Sequence, residues 1–207
     1  MLKNYVENTL KILHQHPNHK SHDYVVPLNI NISKAKDVFF KYYNEKKKTF
    51  LNSFPMNEEA LSILPEELHP WIELNQIWIG YFHSKRKTGA YIPIHVDNHR
   101  SNVKYPCSIN IPLIGCSENI TTSFWEPVGE VRGLEKPKAE WYDYGQLNHA
   151  FEFALTDTAV LYNNQKWHSV FNPMPQDHER AIMIFKFSNE VPQWEDCRQL
   201  THALHKV

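Results

Sequence analysis

The chain has few cysteines and glycines, and it has no long apolar run. Three cysteines among 207 residues are an odd number and too few for a disulfide framework, so we expect free thiols and a reducing compartment, the cytoplasm. Six glycines against thirteen prolines favour fixed turns over long helices. Because no run approaches the roughly 18 apolar residues of a membrane span, and the start lacks a cleavable secretory pattern, we expect a soluble protein.

An excess of charge of either sign is also absent. Lysine and arginine total 22 and aspartate and glutamate total 23, which gives a formal net charge of −1. The sequence therefore gives no general reason to expect nucleic acid or an anionic membrane as a partner, and no basic stretch interleaved with aromatic residues is present. We expect a small-molecule or peptide substrate, and the sequence does not indicate an oligomeric state.

The pattern along the chain predicts a single domain over 1–207 that is mainly β with N-terminal helices. Residues 1–73 show helical spacing, with Ser33 as a predicted N-cap, and are expected to support the core. Residues 74–190 are short extended runs between turns, which suggests a sandwich, jelly roll or barrel with an insertion at 129–147. Residues 191–207 form a tail with a short helix. The predicted strands are 77–82, 91–96, 108–113, 121–125, 159–162, 169–172 and 181–187.

Two of the thirteen histidines stand in a pattern that is typical of a metal site. His95 and Asp97 are two residues apart in a predicted strand and therefore share a face, whereas Ile94 faces the opposite layer. His168 opens a later predicted strand after a polar turn. Two histidines and one carboxylate on one face of iron leave three positions open, as in the facial triad of non-haem Fe(II) oxygenases. A shell with open positions suits catalysis.

The ordered set is His-x-Asp, a histidine about seventy residues later, and an arginine twelve positions beyond it. It resembles the Fe(II)- and 2-oxoglutarate-dependent dioxygenase superfamily over about residues 75–190. The resemblance implies a double-stranded β-helix (jelly-roll, cupin-like) core, with His95, Asp97 and His168 as metal ligands and no catalytic residues beyond them. It also implies that Arg180 binds the far carboxylate of 2-oxoglutarate, for which Lys186 is the alternative. The cofactor and cosubstrates would be Fe(II), 2-oxoglutarate and O2. The reaction would hydroxylate a small molecule, an amino acid or a peptide side chain, with release of succinate and CO2.

Further polar and aromatic residues are candidates for the walls of the site. In the resembling fold, the polar face of the strand that carries Ser108 and Asn110 would look into the barrel, and an earlier-strand tyrosine often helps to hold the cosubstrate. Cosubstrate-binding candidates are therefore Asn110, Ser108, Tyr91 and Tyr81, for which satisfied core polar groups are an equal interpretation. Candidate substrate-binding residues are His99, Arg100 and Trp125, and the aromatic insertion could cover the site.

Two other classes of protein fit part of the pattern. A cupin would use a similar barrel for a different metal reaction, but cupins favour a His-x-His pair followed by a glutamate, and Asp97 replaces the second histidine here. A non-catalytic jelly-roll binding module would make the order of histidine, aspartate and arginine a coincidence. Metal analysis of the purified protein separates both alternatives from the oxygenase.

Overall fold

The computed structural model describes residues 21–43, 58–83, 90–97, 105–128, 147–173, 178–188, 190–191 and 193–205. The helices are α1 (Ile32–Tyr43), α2 (Glu58–Leu61) and α3 (Trp194–Leu200), with short 3-10 turns at Ser21–Asp23, Glu66–Trp71 and His202–Leu204. The strands are β1 (Val25–Leu28), β2 (Ile72–His83), β3 (Ala90–His95), β4 (Cys107–Ile114), β5 (Thr121–Pro127), β6 (Leu147–Ala154), β7 (Ala159–Asn163), β8 (Trp167–Asn172) and β9 (Glu179–Phe187).

These strands form two antiparallel sheets. The larger sheet has the order β1-β7-β4-β9-β2, and the smaller one has the order β3-β8-β5-β6. Neighbours within each sheet are mostly distant in sequence, so the chain alternates between the sheets as in a double-stranded β-helix. The predicted fold class, a jelly-roll core buttressed by helices, is confirmed.

Each face of the larger sheet contributes to a different hydrophobic core. Ile109 and Ile111 of β4 are fully buried on the face that packs with residues of the helices. On the opposite face, Tyr162 and Ile182 pack against Phe124 of the smaller sheet, so this second core lies between the sheets. The alternation along β4 follows from the strand period of two residues and agrees with the prediction.

The N-terminal segment is not purely helical support, because it supplies a strand. Residues Val25–Leu28 pair antiparallel with β7, from Val25 opposite Tyr162 to Leu28 opposite Ala159. Pro27 is compatible with this position because β1 is the outermost strand of its sheet and needs hydrogen bonds on one side only. The proline masked the short extended run in the sequence.

Helix α1 begins two residues earlier than predicted. The side-chain Oδ1 of Asn31 accepts a hydrogen bond from the backbone N–H of Lys34 at 3.1 Å, which is the bond that an N-cap residue makes. Ser33 lies inside the helix and is exposed, so the prediction of Ser33 as the N-cap is wrong. The short helix predicted in the tail is present as α3.

The cysteines differ from the expectation of free thiols. Cys107 at the start of β4 and Cys197 in α3 form a disulfide, with their Cα atoms 6.8 Å apart, and Cys116 is free. A separation of 90 residues gives no sequence signal for this pairing, because the fold alone brings the two segments together. The prediction of a cytoplasmic location loses its premise of unpaired cysteines and stays a prediction. No helix among the described residues has the length and apolarity to cross a bilayer.

The predicted insertion at 129–147 ends where a strand begins. Leu147–Ala154 forms β6, which pairs with β5 along its length. A bulge between Phe124 and Trp125 breaks the register, and the burial pattern of β6 accordingly does not alternate regularly. The rest of the insertion, 129–146, lies outside the described residues.

Candidate metal centre

Strand pairing brings the three predicted ligands together. His95 is the last residue of β3, Asp97 follows two positions later, and His168 is the second residue of β8. Since β3 and β8 are neighbours and His95 pairs with His168 in register, the two imidazoles meet across the strands. Their ring centroids are 4.2 Å apart.

The donor atoms form a compact group. The Oδ1 atom of Asp97 lies 3.4 Å from His95 Nε2 and 3.7 Å from His168 Nε2. One ligand atom from each residue lies within 4.8 Å of the others. The prediction that these residues converge is therefore confirmed, and their two nitrogens and one oxygen could hold a metal ion.

His168 is held in the form that a metal ligand requires. Its Nδ1 donates a hydrogen bond to the backbone carbonyl of Lys166 at 2.9 Å, which fixes the tautomer and leaves Nε2 facing Asp97. Burial, together with the charge of nearby His95, lowers the pKa of His168 to about 4. The imidazole is consequently neutral at physiological pH, so a nitrogen lone pair is available.

Asp97 is held as a carboxylate. Burial alone would raise its pKa, but the hydrogen bond with His95, the charge that His168 carries once it is protonated in acid, and the charge of Lys186 hold the pKa well below its usual range. Lys186 Nζ lies 3.7 Å from Asp97 Oδ2, whereas the two imidazoles approach the other carboxylate oxygen, Oδ1. In the folded protein, the Asp97 carboxylate is therefore negatively charged at neutral pH.

Lys186 is a basic residue in direct contact with the triad. Its side chain is 13% exposed, and its ammonium group lies between two rings, 5.3 Å from the centroid of Trp78 and 5.2 Å from that of Tyr105. Such cation–π contacts stabilise a partly desolvated ammonium. The Nε1 atom of Trp78 is buried, and no acceptor for it exists among the described residues. The indole N–H of Trp78, beside the Lys186 ammonium, is thus available to donate a hydrogen bond to a ligand.

Two interior aromatic residues were not singled out by sequence reasoning. Tyr162 packs its ring edge against His168 with centroids 5.1 Å apart, and Phe124 lies 6.0 Å from the same imidazole. Burial and the charge of Asp97 raise the pKa of Tyr162 well above its usual value, so the phenol stays protonated. Strand parity from the pairing of Ser108 with Tyr162 identifies the tyrosine as interior, but that pairing was not readable from sequence.

Arg180 lies on the interior face of β9. It is 3% exposed. Two residues apart in the strand, Arg180 and Ile182 share a face, and Ile182 packs in the core between the sheets. The positive charge of Arg180 counteracts the effect of burial on the pKa values of the Cys116 thiol and of Tyr162. Both basic residues predicted as alternative anchors therefore enter the barrel, and Lys186 contacts the triad through Asp97. The role of Arg180 stays a prediction.

The polar residues of β4 form an interior network. Ser108 Oγ lies 2.9 Å from Asn110 Oδ1 and 3.2 Å from Asn164 Oδ1, and Ser108 pairs with Lys186 on the adjacent strand. The predicted interior position of this polar face is confirmed, whereas cosubstrate binding by it remains a prediction. Tyr81 and Tyr91 belong to β2 and β3, but their side chains lie outside the described residues, as do His99 and Arg100 altogether.

Trp125 does not form a wall of the barrel interior. Its Nε1 donates to Ser169 Oγ at 3.0 Å, and its ring packs with Ile94 and Leu147 on the outer face of the smaller sheet. Phe124, its neighbour, occupies the inner face instead. The strand presents its even-numbered residues inward, and a substrate contact by Trp125 remains a prediction.

Comparison with known proteins gives distant structural likenesses. No protein-family model and no curated protein matches the sequence. A structure described as a non-heme monooxygenase, the ThoJ–nickel complex, has 12% identity and a TM-score of 0.46, covering 79% of this chain and 73% of that one. AviO1 from Streptomyces viridochromogenes Tue57 has 12% identity and a TM-score of 0.46, covering 80% and 89%. EvdO2 from Micromonospora carbonacea var. aurantiaca has 12% identity and a TM-score of 0.46, covering 79% and 85%. Function must therefore be argued from the site itself.

Proposed function

We propose that the protein is an Fe(II)- and 2-oxoglutarate-dependent oxygenase that hydroxylates a small molecule or a peptide side chain. The observation that carries the proposal is the grouping of His95, Asp97 and His168 inside a double-stranded β-helix that also encloses two basic side chains. Three protein ligands leave coordination positions open for a chelating cosubstrate and for O2. The outcome would be a hydroxylated product, succinate and CO2.

The donor set fits a first-row divalent ion. Two imidazole nitrogens and one carboxylate oxygen suit Fe(II), and they are not the thiolate shell that structural zinc prefers. His95, Asp97 and His168 would hold the metal, which when bound supplies the redox chemistry that couples O2 reduction to oxidative decarboxylation of 2-oxoglutarate. The hydrogen bond from His168 to the Lys166 carbonyl orients one ligand before the metal arrives.

The interior charge favours a dianionic cosubstrate. Among the described residues that face the barrel interior, Lys186 and Arg180 are positive and Asp97 is negative, so a divalent ion would raise the local net charge to about +3. An uncompensated charge of that size is costly in a desolvated site. A dicarboxylate supplies two negative charges, and the two basic residues supply donors for its two ends.

The remaining side chains would orient the ligands and exclude water. Arg180 would bind the far carboxylate in a bidentate manner, while Lys186 and the Trp78 N–H would contact oxygen atoms nearer the metal. Tyr162 and Phe124 cover His168 with rings and limit the access of water to it. Exclusion of water protects the reaction from unproductive turnover.

The experiment measures succinate formation from 2-oxoglutarate by the purified protein. We expect turnover, with or without a substrate that stimulates it, to require both Fe(II) and O2. Arg180→Met should raise the 2-oxoglutarate concentration needed for half-maximal rate by about ten-fold or more, because one charge-assisted bidentate contact is lost. The matched control is Arg198→Met on α3, where the arginine pairs with Glu195 outside the barrel. If folded protein binds neither iron nor 2-oxoglutarate, the proposal is wrong and a binding module is favoured. A site that binds metal but not 2-oxoglutarate would favour a cupin-type reaction instead.

A further inference from the structure

A cavity of about 480 Å³ lies outside the metal centre. The turn between β7 and β8 forms part of its lining. Three tryptophans from three different elements line it, namely Trp125 at the end of β5, Trp167 at the start of β8 and Trp194 at the start of α3. Its charged lining residues are Asp23, Glu126 and Lys166.

Hydrogen bonds fix two of the indoles so that their N–H groups are occupied. Trp125 Nε1 donates to Ser169 Oγ at 3.0 Å, and Trp194 Nε1 donates to the His22 carbonyl at 3.1 Å. Each of the two rings is half-buried, so part of its surface stays open. These two tryptophans therefore offer ring surface rather than N–H donors to a ligand, and a ring face carries negative electrostatic potential.

The charges of the described residues that line the cavity are negative in sum. The Lys166 ammonium lies 2.8 Å from Glu126 Oε1, which also accepts a hydrogen bond from Tyr24 at 2.8 Å. Lys166 is thus neutralised within the wall. In the described part of the chain no lysine or arginine pairs with Asp23, so one negative charge remains for a ligand.

We propose that this cavity binds a small organic cation of the alkylammonium class. Tryptophan is the best ring for cation–π recognition, and a cage of aromatic rings with a carboxylate is the usual site for a quaternary or methylated ammonium group. The net negative lining disfavours phosphate and carboxylate ligands. The cavity is of a size that holds a small ligand.

The cavity is separate from the metal centre but adjoins one of its supports. Trp167 and His168 are consecutive in β8 and face opposite sides of the smaller sheet. The Lys166 carbonyl accepts the hydrogen bond that orients His168, while the Lys166 ammonium closes one side of the cavity. A bound cation would therefore contact the segment that positions a metal ligand without entering the barrel. The binding itself does not depend on the proposed oxygenase activity.

The test is isothermal titration calorimetry, in which choline is titrated into the 207-residue chain at constant ionic strength. The neutral isostere 3,3-dimethylbutan-1-ol has the same shape without the charge, and methyl glucoside represents a neutral polyol. We expect choline to bind at least about five-fold more tightly than either compound, because cation–π attraction and the carboxylate act on the charge alone. Equal binding of choline and its isostere, tighter binding of the glucoside, or no binding of choline would overturn the proposal.

Two variants identify the residues responsible. Asp23→Asn should weaken choline binding at least about three-fold, and Trp194→Leu should do the same through loss of ring surface. The Asp23 backbone carbonyl, not its carboxylate, holds Asn163, so Asp23→Asn is expected to fold even if Trp194→Leu does not. The matched control is Asp37→Asn, since Asp37 is exposed on α1. Unchanged choline affinity in folded Asp23→Asn would contradict the assignment.

Discussion

Removing the Cys107–Cys197 disulfide should lower stability by an amount that follows from the loop it closes. The sequence separation is 90 residues, for which the chain-entropy relation gives about 4.6 kcal/mol at 25 °C. An unfolding entropy of about 2.1 cal/mol/K per residue converts this free energy into a fall of about 10 °C in the Tm of a chain of this length. The disulfide anchors α3 to the first residue of β4, next to Ser108 of the interior network.

The assay compares thermal unfolding of the wild type with that of the Cys107→Ala/Cys197→Ala double variant. Both cysteines are fully buried, so a reductant should react only slowly with the disulfide of the native protein. The double variant removes the bond without the need for reduction. Cys116→Ala is the control, because Cys116 is outside the bond. Thiol titration of denatured, unreduced wild type should find one thiol per chain. Three thiols would show that the Cys107–Cys197 bond does not form. An unchanged Tm in the double variant would show that the bond does not contribute to stability.

Three further predictions concern single residues. Gly115→Ala should cost at least about 2 kcal/mol by chemical denaturation, because Gly115 has φ +61° and an added Cβ would lie 1.7 Å from the carbonyl oxygen of Glu179. Asn31→Ala should lower the free energy of unfolding by about 1 kcal/mol through loss of the α1 cap, and an unchanged value would show that the cap contributes nothing. Lys186→Met should raise affinity for Mn(II) alone and lower affinity for 2-oxoglutarate, because it removes a positive charge 3.7 Å from Asp97. Titrations that move both affinities in the same direction would contradict this electrostatic role.

The convergence of His95, Asp97 and His168 was predictable because it depends on two local rules. Strand parity places His95 and Asp97 on one face, and the polar turn before His168 marks the start of the partner strand. The same parity correctly places Ser108 in the interior and Ile109 beneath the helices. Where a strand alternates without interruption, the sequence therefore specifies which side chains enter the barrel.

The features that were missed depend on contacts between distant segments. Pro27 conceals β1, since only the edge position of that strand makes a proline acceptable. The bulge beside Trp125 disturbs the pattern of β5 and β6, so β6 has no regular alternation to read. The Cys107–Cys197 bond requires α3 to pack against β4, which no local pattern in either segment reports. In each case the structure depends on contacts between segments that are distant in sequence, and the local spacing of residues does not report those contacts.

The most direct test of the proposed function is an anaerobic absorption titration of the Fe(II)-loaded protein with 2-oxoglutarate. We expect a weak visible charge-transfer band that saturates with cosubstrate, because His95, Asp97 and His168 would leave adjacent positions on the metal for a chelating ligand. Asp97→Ala, checked for an unchanged fold by circular dichroism, should lose the band. A folded wild-type protein that binds Fe(II) without developing the band, or an Asp97→Ala variant that keeps it, would contradict the proposed 2-oxoglutarate-dependent oxygenase.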